Sequence, residues 1–153
     1  MTATGHAVIA ALIAAKFTNP YIGLPLALVS HFAADMVPHW DAGTHHHSKT
    51  RAQLFQESVI DVLASIIAAY IIYTLVAPQG DYLYLYLTVF VSQLPDWIMA
   101  PYIILGIRGK YIGWSKWMYV IQHKMNARLD KPWGILTQIG TIILLYILLF
   151  RLF

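Results

Sequence analysis

The sequence predicts an all-α, polytopic helical membrane protein of five or six helices, with short N-terminal helices and one amphipathic surface helix. Three observations predict it. The 153 residues are 59 % apolar and 11 % charged, against about 45–50 % and 25 % in soluble domains. Mean hydropathy is +0.61. Residues 59–76 and 133–150 form long apolar runs, and no stretch alternates polar with apolar as a half-buried strand would. The length suits one integral membrane domain over residues 1–153. No cysteine is present, which excludes disulfides, thiolate metal ligands and cysteine nucleophiles. No Lys or Arg precedes the first apolar stretch, so the whole chain is read as mature rather than as carrying a cleaved leader.

Taken in order, residues 5–15 and 21–37 are apolar but short. At about 1.5 Å per residue, the first reaches about 17 Å of a hydrocarbon layer about 30 Å thick. It tilts, extends, or pairs with the second in a half-inserted hairpin closed by Thr18-Asn19-Pro20. Residues 38–49 form the longest polar connection. Residues 59–76 make a span interrupted by Asp61 and Ser65, and Pro78-Gln79-Gly80-Asp81 makes a turn. Residues 82–105 make a third span, with a kink expected at Pro95 or Pro101. Its Tyr82-Leu83-Tyr84-Leu85-Tyr86 start reads as an interfacial aromatic belt. Residues 115–129 mix Lys116, Lys124 and Arg128 with apolar side chains, as an amphipathic helix at a membrane surface does. Residues 133–150 close the chain without a charge.

Lys and Arg set the expected orientation. Arg108, Lys110, Lys116, Lys124, Arg128 and Lys131 cluster in one region, and Lys49 and Arg51 in another. Both regions, and the N-terminus, are therefore expected on the cytoplasmic side. The basic cluster doubles as a surface for anionic lipid head groups. No nucleic-acid recognition motif accompanies it, and none of the sequence reports on oligomeric state.

Ionisable residues inside membrane helices are costly and point to function. His31 and Asp35 are spaced i,i+4 near the end of the second helix, and Glu57 and Asp61 near the start of the third. That spacing places each pair on one helix face. His6 opens the first helix, Asp96 follows Pro95, and His123 lies on the amphipathic helix. Tracing the spans brings all of them to the same end of the bundle, whichever way round the bundle sits. Imidazole and carboxylate without thiolate suit Zn²⁺, or Mn²⁺ or Fe²⁺. The expected metal ligands are His6, His31, Asp35, Asp61 and Asp96, with His39 and Asp41 as possible additional ligands. Glu57 is a bridging ligand or general base. His123 is a proton donor or a phosphate contact, and Arg108 and Lys110 neutralise the substrate. Plainer readings stand beside these. His31 and Asp35 form a helix-end hydrogen-bonded pair, Asp96 an N-cap, His123 an interfacial side chain, and His45-His46-His47 an exposed loop tract.

Gly5-His6 and Ser30-His31-Phe32-Ala33-Ala34-Asp35 followed by Pro38 resemble motifs of the membrane-bound metal-dependent hydrolase family, also described as LexA-binding, inner-membrane-associated hydrolases. Leu94-Pro95-Asp96 is similar to that family's L-P-D segment. The resemblance covers about the first third of the chain and this tripeptide. Here the tripeptide follows the His-x-x-x-Asp motif, Asp96-Trp97-Ile98-Met99 replaces the family's D-x-D-H continuation, and an H-R-G-x-T-H-S segment is missing. The resemblance implies a hydrolase of a bacterial or archaeal inner membrane. Together with the residues above, it leads to an expected metal-dependent hydrolase acting on a phosphoester or lipid-linked substrate at the cytoplasmic face. The alternatives are a divalent-cation transporter or channel, and a non-enzymatic structural membrane protein.

Overall fold

A computed structural model describes residues 1–45, 48–106 and 113–152. The described residues form seven helices and no strand: α1 Ala3–Lys16, α2 Pro20–Asp35, α3 Arg51–Val76, α4 Tyr82–Ser92, α5 Leu94–Ile103, α6 Gly113–Met125 and α7 Trp133–Ile147, the last running on into a π-turn over Leu148–Leu152.

Local chemistry sets the helix starts. The Thr2 side chain accepts from Gly5 N at the start of α1, and Asn19 accepts from Tyr21 N ahead of Pro20 at α2. Thr50 and Gln53 form a reciprocal capping box on α3. Asp81, expected as an ordinary loop charge, accepts from Leu83 N and Tyr84 N and caps α4.

The structure differs from expectation in helix count. The span over 82–105 is two helices, broken at Gln93, rather than one kinked rod. Pro95 has no N–H to donate to Val91, so the ladder stops and restarts. The amphipathic helix also ends early, at Met125. Beyond it the chain turns to backbone pairing. Ala127 N donates to Asp35 O at 2.8 Å, His39 N to Ala127 O at 2.9 Å, and Leu129 N to His39 O at 2.7 Å. Long-range pairing there outweighs another turn of helix.

α1 is apolar on every side and is the central helix, as such a pattern requires. All ten residues from Gly5 to Ala14 are buried. Ala7, Ala10, Ala11 and Ala14 pack against Ala69 and Tyr73 of α3 and Tyr84, Leu85 and Val89 of α4. Small side chains let these helix axes approach closely, so dispersion contacts accumulate along their length.

α3 and the run Trp133–Leu152 are long and apolar enough to cross a membrane. Only 17 % and 6 % of their most apolar stretches are buried within the protein, so neither behaves as the core helix of a soluble fold. Leu63, Ile67, Ile71 and Leu75 on α3, and Leu136, Ile143 and Leu144 on α7, are all more than half exposed.

Candidate metal centre

The polar residues gather at one end of the bundle, around the start of α1 and the end of α2. His6 and His31 are buried, with 1 % and 0 % exposure, and their rings stack with centroids 4.1 Å apart. Asp35 sits one turn beyond His31. His6 Nε2 lies 3.2 Å from Asp35 Oδ1, His31 Nε2 3.4 Å from Asp35 Oδ2, and His31 Nε2 3.8 Å from Asp96 Oδ1. His6, His31 and Asp96 each offer a ligand atom within 4.8 Å of the others, a group that can hold one metal ion.

Backbone carbonyls fix which ring nitrogen faces the group. Ser92 O accepts from His31 Nδ1 at 2.7 Å, so the lone pair is on Nε2. A faint sequence echo relates the Ser30-His31 segment to Ser92-Gln93, and the two echoing segments meet at this hydrogen bond. Gln122 of α6 donates from Nε2 to His31 Nε2 at 3.0 Å and to Asp96 Oδ1 at 3.2 Å. A cation between His31 and Asp96 would take over the role this one amide performs.

The residues fit a metal on two counts. Bonds of about 2.0–2.2 Å to a tetrahedral ion hold its ligand atoms about 3.3–3.6 Å apart; His31 Nε2 and Asp96 Oδ1 are 3.8 Å apart, and all three ligand atoms of the group lie within 4.8 Å of one another. Moreover, His6 Nε2 is buried without a hydrogen-bond partner among the described residues, although Asp35 lies close by. A buried ring nitrogen left so is costly unless something binds it.

A cavity of about 160 Å³ adjoins the group. Asp35, Asp41, Asp61, Asp96, Gln93, Gln122, Asn126 and Arg128 supply its polar wall, and Leu54, Val62, Trp97, Ala100, Ile103 and Ile104 its apolar wall. Asp41 lies in the loop after α2. Its burial favours the neutral acid. His39, the Met1 amino group, Arg128 and Asn126 outweigh that burial and hold its carboxyl below the usual range.

Other expected site residues are engaged differently. Asp61 lines the cavity, but its carboxylate accepts from Ala3 N at 2.7 Å, Thr4 N at 3.1 Å and Thr4 Oγ1 at 2.7 Å. It therefore anchors the N-terminus of α1, where the helix dipole favours a negative charge. Glu57 is outside the cavity wall and bonds Lys49 Nζ at 2.7 Å. His123 is not on the wall of this cavity but lines a small neighbouring pocket with Gln122, Asn126 and Arg128, its ring stacked on Tyr119 with centroids 5.6 Å apart. Arg108 and Lys110, like His46 and His47, lie outside the described residues. His45 is exposed and bonds Asp130 Oδ1 at 2.7 Å.

Sequence reading missed Gln93, Gln122 and Gln138, three buried amides that tie helices to the site. Gln93 Nε2 donates to Ser65 Oγ at 3.1 Å and Ala3 O at 3.3 Å. Gln138 accepts from Thr2 and donates to Trp40 O at 2.8 Å, joining α7, α1 and the loop. An uncharged amide within an apolar helix was the available signal, since it too is costly there without a partner.

One expected result separates anchoring from metal binding. Asp61→Asn removes the acceptor charge at the start of α1 and is expected to lower stability by about 1.5–3 kcal/mol. Asp61→Glu is expected to recover part of it. Thermal unfolding in detergent, with metal content measured beside it, checks both.

No family model, curated protein or solved structure matches the chain.

Proposed function

We propose that this protein is a membrane-embedded, metal-dependent hydrolase whose substrate is a phosphoester or lipid-linked molecule. The carrying observation is the His6–His31–Asp96 group, its two histidines buried and Asp35 close to both, with Asp35 and Asp96 lining the adjoining cavity. A bound Zn²⁺, Mn²⁺ or Fe²⁺ there supplies Lewis acidity and lowers the pKa of a coordinated water to about 7. His6, His31, Asp35 and Asp96 hold it. The Ser92 carbonyl keeps His31 in the ligating tautomer. Asp41, Asn126 and Arg128 stand on the cavity wall, where Arg128 Nε lies 3.8 Å from Asp41 Oδ1 and supplies the positive charge for an anionic substrate group.

A membrane location is supported by the many exposed large apolar side chains along α3 and α7. The positive-inside bias supports a cytoplasmic position for the site. An amphiphilic substrate is supported by the cavity itself, which is acidic and amide-lined at one end and apolar along Leu54, Val62, Ala100 and Ile103. A transporter is disfavoured because the interior beyond the site is the packed Ala7–Ala14, Ala69, Leu85 and Val89 core.

The test is metal analysis of the detergent-purified protein beside a hydrolysis screen on phospholipids, lipid diphosphates and nitrophenyl phosphates. Bound metal with turnover on at least one class supports the reading. Bound metal with no turnover on any class shifts preference to cation transport, and absence of metal leaves only a structural role. Ala100→Trp, which fills the apolar wall, is expected to lower turnover of a lipid substrate about 10–10²-fold while metal content stays unchanged.

A further inference from the structure

The loop that follows α2 carries a second imidazole–carboxylate constellation, next to the first but distinct from it. His39 is completely buried. Its Nδ1 donates to Val37 O at 2.7 Å, so its lone pair, like that of His31, sits on Nε2 and faces inward. That nitrogen is 3.6 Å from Asp41 Oδ2 and 3.8 Å from Asp35 Oδ1. Both His31 and His39 are therefore held by a backbone carbonyl, the arrangement that orients ligating histidines. Asp35 faces both, presenting Oδ2 to His31 and Oδ1 to His39 as well as to His6. The space among Asp35, His39 and Asp41 already receives a positively charged atom: the Met1 amino nitrogen bonds Asp35 Oδ1 and lies 2.5 Å from His39 Nε2. Asn126 Oδ1, at the same wall, is a buried acceptor without a hydrogen-bond partner among the described residues, while its Nδ2 donates to Asp41 Oδ2 at 3.2 Å.

We propose that the centre is dinuclear: a second divalent cation binds between His39 and Asp41, with Asp35 bridging it to the cation at His6, His31 and Asp96. This rests on the metal-centre reading above and deepens it. Asp41, Asp96 and the bridging Asp35 offset three of the four positive charges that two dications bring into a partly buried site. The pair would lie about 3.5–4 Å apart, the separation that clamps both the attacking and the leaving oxygen of a phosphoester. The Met1 amino nitrogen gives up its place between Asp35 and His39 when the second cation enters.

The experiment is metal stoichiometry. Detergent-purified protein is dialysed against Zn²⁺ alone and, separately, Mn²⁺ alone, then desalted and measured by plasma mass spectrometry. The expected values are two ions per chain for wild type, one for His39→Gln, one for His31→Gln and none for Asp35→Asn. Loss of one ion in Asp41→Asn supports the assignment independently. Circular dichroism and detergent gel filtration identify any variant that fails to fold, and the stoichiometry is read from the remaining variants. In Mn²⁺-loaded wild type, an exchange-coupled electron paramagnetic resonance spectrum is expected, and His39→Gln should convert it to that of an isolated ion. One ion in wild type, unaffected by His39→Gln and Asp41→Asn, overturns the second site and leaves the first intact. No ion in wild type under either metal overturns the metal-centre reading itself.

Discussion

On the proposed metal-hydrolase reading, replacing His31 with glutamine is expected to remove the cation held with His6 and Asp96 and to lower hydrolysis by about 10³-fold or more. His31 contributes through position as much as through chemistry. Its ring is fully buried, stacks on His6 and is held by Ser92 O, and its Nε2 is within 3.8 Å of both Asp35 and Asp96. Glutamine has similar length and can donate to Ser92 O, so the helix pair stays joined. What it loses is the aromatic nitrogen lone pair aimed at the carboxylates. The expected profile is near-wild-type helicity and melting in the absence of metal, loss of the melting increase that bound metal gives, and loss of turnover. A ligand that binds only the folded state stabilises it by about 2.7 kcal/mol at a hundredfold excess over Kd. If His31→Gln retains both the metal-dependent melting shift and turnover, His31 is not a ligand.

Gly134→Ala is expected to give a large structural effect, because Gly134 makes the tightest approach to backbone atoms among the described glycines. A Cβ at Gly134 would stand 2.2 Å from Leu129 O, 2.6 Å from Trp40 N and 2.9 Å from the His39 carbonyl carbon. All three are backbone atoms, so no side chain can swing aside. Either α7 moves away from the loop or the loop moves away from α7. The first breaks the 3.2 Å bond from Trp40 N to Gly134 O, and the second pulls on His39. Overpacking of this kind costs about 3 kcal/mol at the upper end of its usual range. The expected measurement is a large drop in detergent melting temperature, with weakened binding at the His39 side ahead of the His31 side. Gly140 is the matched control, because nothing lies within 4 Å of a Cβ there. Equal melting of Gly134→Ala and Gly140→Ala would show that the close approach does not constrain the fold.

Helix positions were readable because they depend on local chemistry. The apolar runs and the breakers Pro20 and Pro95 mark most boundaries within a few residues of those observed, but the run over 59–76 left out the first eight residues of α3, whose start is set by the Thr50–Gln53 capping box, and the amphipathic helix ends four residues before 129. The i,i+4 spacing of His31 and Asp35 likewise translated directly into two side chains on one face. Pairing Glu57 with Asp61 by the same rule gave one face but not one partner. Asp61 met the free N–H groups of α1, while Glu57 met Lys49 from the preceding loop. Nothing local distinguishes those two fates, since both partners arrive from elsewhere in the chain.

The sequence by itself determined that this is a helical protein with apolar surfaces, and that His6, His31, Asp35, Asp61 and Asp96 end up at one end of the bundle. Both follow from periodicity and from the order of the helices, which are properties of a chain read in one dimension. Only the tertiary structure decided which carboxylate faces which imidazole. Those choices are made by contacts between residues distant in sequence: Ser92 O on His31, Ala127 on the Asp35–His39 turn, Gln122 between His31 and Asp96, and Gly134 against Trp40. Each is a short-range interaction, effective within about 3 Å, and sequence spacing carries no information at that scale until the backbone has folded.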